Sequence, residues 1–256
     1  MLARPFYDQK AEAGKSMHPD VLDLRDFYRT PLGLMARRII AHRVRARWRD
    51  GRGLDFAGVG YATPFMRPFL GEASRIIALM PKAQGAIAWP TGRCATALVD
   101  ETHLPFADMT FDRIVMAHCL EHSEATGPLL REMWRVLRPE GRLLIVAPNR
   151  RGLWARAEST PFGHGRPFSP GQIEALLTSS LFAVECVTPA LFAPPWPWRT
   201  VLHGAVAWER AGARLWPIFA GVLIVDAVKQ VYARLPDVKG RRARVRQAVG
   251  APIRNG

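Results

Sequence analysis

The chain has 256 residues, 48% of them hydrophobic, enough to bury a full core in one domain with extensions. Its formal net charge of +14 is carried almost entirely by arginine. That charge suits an anionic membrane surface, an acidic protein or, as a reading not favoured, nucleic acid; GC-rich coding would give it with no partner at all. Cys94, Cys119 and Cys186 form no CxxC pair and no even framework. Reduced thiols, a cytoplasmic location and no metal site are therefore expected. The N-terminus lacks an apolar signal core, and the longest apolar run, Leu215–Val225, falls far short of the ~20 residues that cross a bilayer. No transmembrane helix is expected.

Residues 1–18 are mixed and polar, and read as a loose arm. Val21–Tyr28 suggests a short helix. Thr30-Pro31 then looks like an N-cap with proline in the first turn. The helix it starts runs to about Arg49, with Leu32, Met35, Ile39, Ile40, Val44 and Trp48 along one side and arginines over the rest. That basic face is either solvated or meets anionic lipid or an acidic partner. Next, the stretch from Gly53 to Ala62 is a short apolar strand running into glycines, which let a backbone approach a ligand. Arg75–Met80 and Thr96–Val99 are the second and third strands, the third ending in Asp100.

Arg113–Ala117 and Leu143–Ala147 are short runs rich in Ile, Val and Leu, as in strands buried on both faces. Between them Leu129, Leu130, Met133, Trp134, Val136 and Leu137 fall near helical spacing, and Pro139-Glu140-Gly141 ends that helix. Strand, helix and strand with short joins form a crossover unit, so a parallel sheet is expected. Pro148–Pro170 is a long loop punctuated by Gly and Pro, of the kind that forms lids or binding loops. It holds several arginines and His164, whose ordinary pKa suits a general base. Gln172–Ser180 reads as a helix, Phe182–Val187 as the sixth strand and Gly221–Val228 as the last. The connection between those two strands is long. It contains Trp196, Trp198, Trp208 and Trp216, four of the eight tryptophans, and a helix from Val201 to Trp216. It is an insert packed on the sheet edge, an apolar lid or an interfacial anchor. The tail from Lys239 to Gly256 is basic, without an acid, and reads as disordered.

Leu104-Pro105-Phe106, Phe111-Asp112, Leu120-Glu121-His122 and the run Arg135–Arg142, in that order and spacing, resemble the class I S-adenosylmethionine-dependent methyltransferases, in particular the subgroup acting on small molecules. The resemblance covers residues 50–190. It implies a three-layer α/β sandwich around a seven-stranded, mostly parallel, Rossmann-like sheet, whose last strand is antiparallel and inserts between the fifth and sixth. The domain would span 50–235 with an insert at about 189–217, after an N-terminal arm and basic helical extension (1–49) and before a basic tail (236–256). The resemblance also implies S-adenosyl-L-methionine as cofactor and a small methyl acceptor, and the apolar insert points to a hydrophobic one. Gly58 and Gly60 match two glycines of the first family motif, with Ala62 at the third. Asp55 stands one residue further from them than the motif's acid. Asp100 matches the carboxylate that accepts the adenine amino group. Leu104 would wall the adenine or simply pack the core, and His118 would face the methionine end, with His122 structural and His164 beside the acceptor. One departure is large: no Asp or Glu lies between Ala73 and Val99, where the family's ribose-binding acid belongs. The competing reading is therefore a non-catalytic domain that binds an anionic partner through its arginine-rich helix and tail.

Overall fold

The computed structural model describes residues 19–231; the arm and tail expected at the two ends lie outside the described residues. Asp20 caps α1 (Val21–Phe27) by accepting from the Leu22 N–H. Thr30 caps α2 (Pro31–Arg47) in the same way through Gly33, with Pro31 in the first turn. Gly33 also permits the tight corner between the two helices, because a Cβ there would stand 2.0 Å from the Phe27 carbonyl oxygen.

The strands are β1 (Asp55–Gly60), β2 (Arg75–Pro81), β3 (Thr96–Val99), β4 (Phe111–Ala117), β5 (Leu137–Pro148), β6 (Phe182–Ala190) and β7 (Val222–Lys229). They form one sheet in the order β3-β2-β1-β4-β5-β7-β6, with β7 antiparallel to both neighbours. The remaining helices are α3 (Thr63–Met66), α4 (Thr126–Val136), α5 (Pro170–Ser179), α6 (Arg199–His203) and α7 (Ala205–Leu215). This is the three-layer, mostly parallel sandwich that the resemblance implies.

Alternate residues of the central strands feed two cores, as a period of two requires. On one face Val115, Leu144 and Ile224 pack with Leu24, Phe27, Ile40 and Val44 of α1 and α2. On the other, Ile114, Ile145 and Val225 pack with Leu129 and Met133 of α4 and Ile173 and Leu177 of α5. The N-terminal helices are thus a layer of the domain rather than an appendage. They take a face that little else covers, since α3 has four residues and residues 82–95 form no helix.

Much of the basic face of α2 is turned to the domain. Arg45 makes two bonds to Glu72, at 2.8 and 2.6 Å. Arg47 pairs with the buried carboxylate of Asp226 on β7, which also receives Trp48 Nε1 at 3.3 Å and Arg142 Nη2 at 2.8 Å.

Two boundaries differ from the sequence reading. α4 ends at Val136 rather than at Pro139, because Arg138 precedes a proline and is disfavoured in helical backbone. Leu137 is already extended and pairs with Phe111, and the next paired residue is Arg142 opposite Arg113. Pro139-Glu140-Gly141 is therefore an irregularity within β5, with Glu140 at φ +60°. The helix expected over 201–216 is two helices, divided at Gly204.

Candidate functional site at the carboxyl edge of the sheet

Open parallel sheets bind ligands beyond the carboxyl ends of their strands. Here β1 ends at Gly60, at φ +74°. A Cβ on it would lie 2.3 Å from the Ala117 carbonyl oxygen, so only glycine brings the turn after β1 this close to β4. A Cβ on Gly58 would lie 2.2 Å from the Met66 methyl group. Both glycines thus serve close packing inside the protein, whatever else they approach.

His118 follows β4 with 1% of its surface exposed and φ +52°. Its Nε2 lies 2.7 Å from the Tyr28 hydroxyl, and its Nδ1 lies 3.6 Å from Oε1 of Glu121, which is also buried. Gln84 Nε2, from the turn after β2, donates to the His118 carbonyl at 2.9 Å. The Phe162 ring is centred 4.9 Å from the imidazole. Arg166 N–H donates to the Glu121 carbonyl at 2.7 Å, and Gly165 sits so close that a Cβ would lie 2.6 Å from the same oxygen. Three distant segments therefore close over the end of β4: the end of α1, the turn after β2 and the loop after β5.

Gln84 Oε1, His118 Nδ1 and both carboxylate oxygens of Glu121 are buried without a hydrogen-bond partner. A buried unsatisfied polar atom typically costs about 1–3 kcal/mol, so a cluster of them marks a place built for a polar ligand. Burial pushes the Glu121 carboxyl up to about 7. Burial, with the neighbouring His122, pushes the His118 imidazole down to about 3. Burial also raises the Tyr28 phenol well above its ordinary value.

The other expected site residues are dispersed. Asp55 opens β1 and so lies at the amino edge of the sheet, where its carboxylate meets Arg75 at 2.8 Å and Arg138 at 3.0 Å. Those two guanidiniums hold it below its ordinary range, Arg75 foremost. Its partners make it a brace between strands, on the edge away from Gly60. Asp100 is exposed beyond β3, and one carboxylate oxygen accepts from Thr102 N–H at 2.9 Å and Thr102 Oγ1 at 2.6 Å. Leu104 is buried in the α4 and α5 core, its N–H donating to Glu132 at 2.6 Å. His164 is in the loop after β5, where Nε2 donates to the Glu158 carbonyl at 2.8 Å. Tyr28, Gln84, Glu121 and Phe162 are the functional candidates that sequence reasoning missed. Two of them left a signal: Glu121 lies within the Leu120-Glu121-His122 motif, and Gln84 is an uncharged polar residue just past the strand whose acid is missing.

Residues 57–145 match the sequence profile of a family described as "Methyltransferase domain". The chain is 47% identical over 54 residues to "Methyltransferase GfsG" of Streptomyces halstedii, covering 21% of this chain and 19% of that protein. It is 48% identical over 44 residues to the "Ubiquinone/menaquinone biosynthesis C-methyltransferase UbiE" of Haemophilus ducreyi, covering 17% of each. The alignments thus span about a fifth of the length of these relatives. In fold it is similar to the 1,6-didemethyltoxoflavin-N1-methyltransferase of Burkholderia thailandensis, solved with 1,6-didemethyltoxoflavin and S-adenosylhomocysteine bound. The TM-score is 0.51 and the identity 17%, over 82% of this chain and 83% of that one. Residues 57–145 thus match a methyltransferase domain, on the fold of the class I S-adenosylmethionine-dependent methyltransferases. S-adenosylmethionine is the cofactor of that class.

The residues present fit such a cofactor. Its ribose hydroxyls, ammonium and adenine amino group can all donate, and the unsatisfied oxygen of Gln84 and, once ionised, both oxygens of Glu121 accept. β2 ends in Met80 and Pro81, both buried, so no carboxylate serves the ribose there.

Proposed function

We propose that the chain transfers a methyl group from S-adenosylmethionine to a small-molecule acceptor. The observation that carries this is the profile match over 57–145, joined to a buried cluster of unsatisfied acceptors at the carboxyl edge of the sheet. The names of the curated relatives, one of them a C-methyltransferase of quinone biosynthesis, support a small and apolar acceptor.

The cofactor supplies an activated methyl group, so the protein's part is to bind, align and exclude water. We assign Gly58 and Gly60 to close backbone approach, Asp100 to the adenine amino group and Leu104 to the wall beside it. We assign Gln84 to a ribose hydroxyl, and His118 and Glu121 to the methionine end. Tyr28 and Phe162 keep water from that end. His164, in the loop after β5, is the proton acceptor for an acceptor molecule that sheds a proton.

Calorimetric titration with S-adenosylhomocysteine tests this reading. Micromolar binding is expected, weakened roughly tenfold by Asp100→Ala and by Gln84→Ala. No heat and no thermal shift at millimolar ligand would sink it. With an acceptor in hand, His164→Gln should lower kcat roughly a hundredfold and leave cofactor affinity unchanged.

A further inference from the structure

Within the insert between β6 and β7, α7 is built inside out. α7 turns Ala205, Glu209 and Gly212 toward the domain. Glu209 is 8% exposed and accepts from the backbone N–H groups of Leu191, at 3.3 Å, and Phe192, at 2.5 Å. Gly212 allows the close approach, since a Cβ there would lie 2.4 Å from that of Phe192. The outward face carries Val206, Trp208 and Leu215, and the chain continues outward through Trp216, Ile218 and Phe219. At the other end Trp196 and Trp198 stack with ring centroids 5.0 Å apart, 45% and 60% exposed. A helix at the surface of a water-soluble domain normally does the reverse.

Of the fifteen large hydrophobic side chains exposed among the described residues, eight lie within 196–219. More than half of the exposed apolar side chains thus come from one short segment rather than being scattered along the chain. The same segment exposes Arg199, Arg210 and Arg214, and its one acid, Glu209, is the residue turned inward. Exposed tryptophan and arginine with no outward acid is the composition of a surface that lies among lipid headgroups. A second copy of this chain would bring the same three arginines against these, whereas anionic lipid neutralises them. No helix among the described residues is long and apolar enough to cross a membrane, so the contact is with one leaflet. Val206 and Arg210 also belong to the wall of a cavity of about 850 Å³ between α2 and the insert, lined by Leu34, Ile39 and Leu202. The patch and that apolar cavity adjoin.

We propose that residues 196–219 seat this protein on an anionic bilayer surface, with the tryptophan rings at headgroup depth. The seat does not depend on the methyl-transfer reading, and the two fail separately.

Vesicle flotation of the full chain tests it, with phosphatidylcholine alone and with phosphatidylcholine mixed with phosphatidylglycerol. Binding to the mixed vesicles is expected, falling as salt rises, with brominated acyl chains quenching tryptophan fluorescence. Trp198→Ala with Trp216→Ala should lower the partition coefficient roughly tenfold or more. Arg199→Glu with Arg214→Glu should lower it on mixed vesicles and leave the neutral ones unaffected. These side chains are exposed, so unchanged circular dichroism and unchanged S-adenosylhomocysteine titration are expected of every variant. No flotation on either vesicle would overturn the proposal. So would variants that float like the parent chain, since the binding would then come from elsewhere. Sedimentation showing a dimer that the tryptophan changes dissociate, without vesicle binding, would assign the face to a second copy instead.

Discussion

Burial sets the protonation of His118 and Glu121 in opposite directions, and each gives stability its own pH window. Glu121 is raised from 4.5 to about 7. Between those values the folded chain keeps a proton that the unfolded chain releases, so its contribution is complete below 4.5 and lost as pH rises through 7. His118 is lowered from 6.5 to about 3. Its contribution is complete above 6.5 and lost as pH falls toward 3. The two slopes oppose each other between 4.5 and 6.5, and below that His118 alone makes stability fall. Glu121→Gln removes one slope. Relative to the parent chain, this variant should gain up to about 3 kcal/mol as pH rises from 4.5 to 7, read from urea unfolding at each pH. A difference that stays flat with pH would show that Glu121 titrates normally. Gly60→Ala forces a side chain into left-handed backbone and against the Ala117 carbonyl. It should cost roughly 2–4 kcal/mol on the same unfolding curves.

Among the elements, α2 is the one whose caps could be read ahead of the structure. Thr30 and Pro31 are local signals, and a local signal needs no partner from elsewhere in the chain. The strands were legible for a related reason, since runs such as Ile145–Ala147 are apolar on both faces. The site was less legible. Gly58, Gly60 and His118 could be placed at a strand end by motif, but Tyr28 meets His118 across 90 positions of chain, and no periodicity reports a pairing of that kind. Asp55 was matched by a motif that counts residues, whereas its ion pairs follow from which end of β1 it occupies. Asp226 was equally hidden: it is an acid within an apolar strand, and its partners Arg47, Trp48 and Arg142 come from α2, the residue after it and β5. Asp226→Asn should cost about 2–3 kcal/mol, because it leaves two half-buried guanidiniums short of a counter-charge. Thermal unfolding would show it as a lower Tm, and an unchanged Tm would mean the cluster holds α2 no more firmly than its apolar side does.

At the scale of the molecule, the sheet is finished by a strand that arrives late. β7 lies between β5 and β6, and among the described residues β6 pairs with no strand but β7. During synthesis, β6 is therefore made well before it has anything to pair with, and β5 waits with an open edge while the tryptophan-rich insert is made. A nascent chain stopped before Val222 exposes the two strand edges that β7 later covers, together with the apolar segment 196–219. It is at that stage that this chain most needs a chaperone, or a surface to rest on.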